Sequence, residues 1–91
     1  MSILYLVATP IGNLEDVTLR ALRVLSEVDV IAAEDTRVTR GLLHRHNLAT
    51  PVLSYHQHSG ERRVTQLVAM LREGKRVALV SDAGIHSASI P

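Results

Sequence analysis

The 91-residue sequence contains no cysteine, no phenylalanine and no tryptophan, and only two tyrosines. Without thiols there are neither disulfides nor thiolate metal sites, which leans towards an intracellular protein. With Tyr5 and Tyr55 as the sole aromatic rings, the core has to be aliphatic, and the chain has little with which to stack bases. Long apolar runs are missing too. No stretch approaches the roughly 20 residues that span a bilayer, and the start Met1-Ser2-Ile3 lacks the charged region that opens a secretory signal. A soluble, cytoplasmic protein with no membrane partner is expected. Net charge is +1, so there is no polycation of the kind that grips nucleic acid by bulk electrostatics. The ten basic residues are lopsided all the same, with Lys75 the one lysine among arginines. Arginine suits planar, two-point contacts to phosphate and carboxylate; compositional bias accounts for the same excess.

What the chain does have is aliphatic residues in quantity: 46% of it is hydrophobic, enough for the core of one small domain. Ile3-Leu4-Tyr5-Leu6-Val7-Ala8 is a continuous apolar run ended by Thr9-Pro10, the pattern of a strand buried on both faces. Val17, Ala21, Val24, Leu25 and Val28 follow at helical spacing, predicting a helix over 16–28 with Glu15 and Asp16 at its positive end. A second strand is expected over 29–33 and a second helix over about 36–46, burying Val38, Leu42 and Leu43. A short third strand is expected over 51–54. Val64, Leu67, Val68 and Leu71 then repeat at i, i+3, i+4 and i+7, with Gly74 as the helix stop. The last strand is expected over 76–80. This β-α-β-α-β-α-β order predicts an α/β fold: an open, mainly parallel sheet of four strands with helices on both faces.

Each apolar run ends in a polar or turn-forming cluster: Thr9-Pro10-Ile11-Gly12-Asn13, Glu34-Asp35-Thr36, Ser54-Tyr55-His56 and Ser81-Asp82-Ala83-Gly84. In a parallel sheet all four emerge at one edge, where open α/β sheets bind ligands. Helix capping explains part of this pattern, with Asp16 and Thr36 as candidate caps, but not both carboxylates of Glu34-Asp35. The first loop carries one glycine, so it matches neither the dinucleotide fingerprint nor the Walker A pattern. Ser81-Asp82-Ala83-Gly84 offers a carboxylate and a glycine that admits close backbone approach, suited to a small ligand with hydroxyl and amine donors and a cationic centre. It is also an ordinary strand exit. The pairs His44/His46 and His56/His58 lack the further ligands zinc requires, so no metal site is expected. Arg37, Arg40 and His44 share one helical face at i, i+3 and i+7; such a stripe suits RNA phosphates or plain solvent.

Taken in series, Leu4 to Asp16, Ala33-Glu34-Asp35-Thr36-Arg37, Ser54-Tyr55-His56 and Val80-Ser81-Asp82-Ala83-Gly84 resemble the ribosomal RNA small subunit methyltransferase I family of the tetrapyrrole-methylase superfamily. The resemblance runs from about Ile3 to Gly84. It implies an enzyme that moves a methyl group from S-adenosylmethionine to the 2′-hydroxyl of a cytidine ribose in 16S ribosomal RNA of the 30S subunit. It implies a two-domain protein, usually a homodimer, with the cofactor between the domains, and a sheet in the order 3-2-4-1 with a fifth strand beside the first. Carried over position by position, Pro10, Gly12, Ser81, Asp82, Ala83 and Gly84 are expected at the cofactor. A ribose hydroxyl is a poor acid, so a nearby base would help; Glu34, Asp35 and His56 are the catalytic candidates, and Arg37 and Arg40 the candidates for RNA contact. For Asp35 a helix cap or an ion pair with Arg37 or Arg40 competes with catalysis, and for His56 a surface role does.

Two departures qualify the resemblance. Family members continue past the last glycine with Thr-Pro, where this chain has Ile85-His86, and they are considerably longer. Residues 1–84 are therefore expected to be the N-terminal part of an incomplete methylase domain, with 85–91 a divergent or unstructured tail, and the fragment alone to be inactive. The first strand is then expected to be an apolar sheet edge prone to self-association. The competing readings are a tetrapyrrole methyltransferase of the same fold and a catalytically silent interaction domain.

Overall fold

The computed structural model describes residues 3–8, 17–55 and 60–81. Four strands and three helices alternate along them: β1 (Ile3–Ala8), α1 (Leu19–Glu27), β2 (Val30–Ala33), α2 (Thr36–Arg45), β3 (Val52–Ser54), α3 (Gly60–Arg72) and β4 (Arg76–Ser81). The strands form one sheet in the order β1-β4-β2-β3, the expected 3-2-4-1, and every pairing is parallel. Ile3 to Ala8 pairs with Arg76 to Ser81 along the whole length of both strands. At the other end of β4, Arg76 N donates to Asp29 Oδ2 (2.8 Å) while Asp29 N donates to the Arg76 carbonyl (2.9 Å), a reciprocal clip that sets the β2–β4 register.

The helices lie on both faces, as right-handed crossovers require. The crossovers through α1 and α2 step across the sheet in one direction and share a face; the return from β3 to β4 puts α3 on the other. The α1/α2 face holds the core cluster. Val7, Ala78, Val80, Ile31 and Ala33 point into it from the strands, with Ala21, Val24 and Leu25 from α1 and Leu42 and Leu43 from α2. Thr50 Oγ1 donates to the Leu25 carbonyl at 2.8 Å, tying the last turn of α1 to the segment before β3.

Helix ends differ from the sequence expectation in instructive ways. Thr18 has extended backbone and its Oγ1 accepts from Ala21 N at 3.0 Å, so α1 begins at Leu19 and not at 16. Asp16, the expected cap, lies outside the described residues. Asp35, not Thr36, caps α2: its Oδ1 accepts from Arg37 N (3.0 Å) and Val38 N (3.3 Å), because its extended backbone sets the carboxylate across the orphan N–H groups of the first turn. In α2 the buried residues are Thr39, Leu42 and Leu43, with Val38 half-buried. Both later helices close in the same way. Leu48 N donates to the Leu43 carbonyl beside Asn47 at φ 58°, and Lys75 N to the Met70 carbonyl beside Gly74 at φ 87°. The left-handed residue lets the chain turn back and satisfy carbonyls of the last turn.

The α3 stripe is rotated from the expected one. Leu67 and Leu71 are half-buried together with Arg63 and Met70, whereas Val64 and Val68 are 45% and 39% exposed. Periodicity alone could not distinguish the two stripes, since they are adjacent on the helix.

Candidate functional site

All four described strands run parallel, so they end at one edge of the sheet. The register sets which ends are neighbours. Ala8 pairs with Ser81, so β1 and β4 end side by side. Ala33 pairs with Val80 on one flank and with Ser54 on the other, so Glu34 and Asp35 emerge between the exits of β4 and β3. Tyr55 N donates to the Ala33 carbonyl at 2.8 Å and extends the β2–β3 ladder one residue past the strands.

Of the cofactor candidates, Pro10, Gly12, Asp82, Ala83 and Gly84 lie outside the described residues, as does His56; Ser81 is described as the last residue of β4. Glu34 is exposed and has no ion-pair partner among the described residues. Asp35 is half-buried and both of its hydrogen bonds fall on Oδ1, which leaves Oδ2 without a protein partner among the described residues. Arg37, Arg40 and His44 are all exposed on α2. No three of the described His, Asp and Glu side chains come together in a way that could hold a metal ion. No described helix is long and apolar enough to cross a membrane.

Two features escaped the sequence reading. An open cleft of about 260 Å³ lies between β1 and α1, lined by Tyr5, Val7, Thr18, Arg20 and Val24 among others. The second is Arg63, whose guanidinium reaches from α3 to Ser54 at the end of β3. Its place in the stripe 63, 67, 70, 71 was a signal available in the sequence, but a charged residue is not read as sheet-facing without coordinates.

A family model described as Tetrapyrrole (Corrin/Porphyrin) Methylases matches residues 3–85. Three curated relatives, from Bacillus subtilis, Halalkalibacterium halodurans and Thermotoga maritima, all carry the name Ribosomal RNA small subunit methyltransferase I. Identity to the Bacillus protein is 54% over 91 residues, covering 100% of this chain and 31% of that protein. For the Halalkalibacterium protein it is 58% over 88 residues, covering 97% and 30%. For the Thermotoga protein it is 50% over 91 residues, covering 100% and 41%. The chain thus spans about a third of the length of the curated relatives it matches. With the family match running from the start of β1 through β4, the chain belongs to the tetrapyrrole (corrin/porphyrin) methylases.

Proposed function

We propose that this chain supplies the strand-edge part of the active site in a methyltransferase acting on small-subunit ribosomal RNA, with S-adenosylmethionine as donor and the 2′-hydroxyl of a cytidine ribose as acceptor. The observation that carries the reading is identity of half or more to relatives named for that RNA, over 97–100% of the chain. In the whole protein the site would be completed by a further domain, in a homodimer working on the 30S subunit.

The side-by-side ends of β1 and β4 support a donor site built from Pro10 and Gly12 on one side and Ser81, Asp82, Ala83 and Gly84 on the other. Bound there, S-adenosylmethionine supplies an already activated methyl carbon, so the protein's part is alignment and handling of one proton. Glu34 is the candidate to accept the proton of the ribose hydroxyl: it is exposed, has no ion-pair partner among the described residues and follows the strand beside β4. Asp35 holds α2 through Oδ1 and keeps Oδ2 for a hydrogen bond to the substrate. His56, after β3, is a third candidate. Arg37 and Arg40 would contact RNA phosphates, which fix register without reading sequence.

Calorimetric titration tests the donor site: the chain is expected to bind S-adenosylmethionine, and Asp82→Ala to weaken that binding at least about tenfold, the loss of one charged hydrogen bond. In the whole protein, Glu34→Gln is expected to lower kcat by roughly 10²–10⁴ with little change in KM for RNA. An unchanged kcat would remove Glu34 as the base. Methyl transfer to a tetrapyrrole, and none to small-subunit RNA, would overturn the substrate.

A further inference from the structure

Arg63 stands in the first turn of α3 and is half-buried. Its Nη1 donates to Gln66 Oε1 at 2.6 Å, and its Nη2 donates to Ser54 Oγ at 3.4 Å. Both partners are neutral, and no carboxylate is within ion-pair range of Arg63 among the described residues. A guanidinium carries five N–H donors, so these two bonds aim the group and leave the other donors without a protein partner among the described residues. The Nη1 contact is open to solvent, so an anion can reach the group, and a planar donor fork is the group that best matches an oxyanion.

The frame behind this guanidinium is firm. Ser54 is the last residue of β3, paired with Ala33, and the ladder continues through Tyr55 N to the Ala33 carbonyl. Arg63 is thereby held at the same end of the sheet as Glu34. Its distance from the proposed donor site decides which oxyanion it serves. In the order β1-β4-β2-β3, strand β3 is two places from β4 and three from β1. At about 4.8 Å per strand that is roughly 10 Å and 14 Å, so a donor bound between β1 and β4 would have to lie fully extended across β2 for its carboxylate to reach Arg63. An extended polyanion crossing the strand ends covers that span without difficulty.

We infer that Arg63 is a phosphate-contact residue, a preset guanidinium that grips a phosphodiester of the RNA strand whose target ribose is presented beside Glu34. The inference rests on the ribosomal RNA reading above.

The test is fluorescence anisotropy of a labelled small-subunit ribosomal RNA fragment with the 91-residue chain across a salt series. Arg63→Met keeps the aliphatic stem over the sheet and Arg63→Gln keeps a polar head, so a folding defect in one, visible by circular dichroism, leaves the other to decide. Both are expected to weaken binding roughly tenfold and to lower the slope of log K against log salt by about 0.7 to 0.9, the value of one phosphate contact. Arg63→Lys retains the slope because the charge remains. Wild-type affinity and slope in both charge-removing variants would overturn the contact. Failure of the wild-type chain to bind RNA is a distinct outcome, which overturns the RNA reading for this segment and the contact with it. Displacement of the RNA by inorganic phosphate at matched ionic strength would assign Arg63 to a free oxyanion and likewise overturn the inference.

Discussion

The two faces of the sheet are built from equally apolar residues and end in different states. On the α1/α2 face, Leu25 is 0% exposed and Leu42 1%, closed over Ile31, Ala33, Ala78 and Val80. On the α3 face, cover declines along each row towards β1. Val30 and Val77 are buried but their neighbour Leu4 is 52% exposed; Ala32 is buried, Leu79 half-buried and Leu6 66% exposed. Leucine 6 is no less hydrophobic than leucine 25. Among the described residues, the difference comes from how many crossovers land on each face: two helices serve one side, and α3 alone serves the other. Burial is a property of the topology before it is a property of the residue.

The largest expected effect breaks the closed face. Leu25→Ala removes a fully buried side chain between α1 and the sheet and should cost about 2–5 kcal/mol, read as a fall in the denaturant midpoint with unchanged m-value. If it costs less than Leu6→Ala, the contrast between the faces is wrong. A smaller effect tests what holds α2 onto that face. Asp35→Ala removes the cap of two N–H groups and should cost about 1 kcal/mol, whereas Asp35→Asn, which caps equally well, should be close to neutral in thermal melts.

The smallest effect on stability belongs to the open face. Replacing Leu4 and Leu6 with Lys should change stability by less than about 0.5 kcal/mol each, as for other exposed positions. The same pair should matter for association. Among the described strands β1 lies at an edge and carries two exposed leucines, and such edges pair with other chains unless charged. The wild-type chain is expected to self-associate in sedimentation velocity and the double Lys variant to run as a monomer. A monomeric wild type at high concentration would show that this edge is already protected.

Much of the fold was legible because the signals were local. Strands β1 and β4 are mainly apolar runs, and Ala21, Val24 and Leu25 of α1, with Val28 just after it, all lie in the core as their spacing implies. Helix starts were less legible. Asp35 and Thr36 are both good caps by type, and only backbone conformation selects between them. The α3 face was misread by one stripe because Val64 is as apolar as Met70, and the position of the helix axis over β4 decides which is covered. In the candidate site, Glu34 and Asp35 could be placed at the ligand edge from the alternation of elements, while Arg63 could not, because its partner Ser54 is nine positions away across a helix–strand junction.

By itself the sequence determined the aliphatic core, the alternation of strands and helices, the parallel sheet and the set of polar clusters at its edge, since each follows from composition or from period along the chain. Only the tertiary structure decided that Ala8 lies beside Ser81, that Asp35 spends one oxygen on a helix cap, that β1 carries an open face, and that Arg63 is held by two neutral partners with no carboxylate in range among the described residues. The cap is a local contact selected by backbone conformation; the others depend on residues distant in the chain. Register and crossover direction bring such residues together, and neither is written in any one segment.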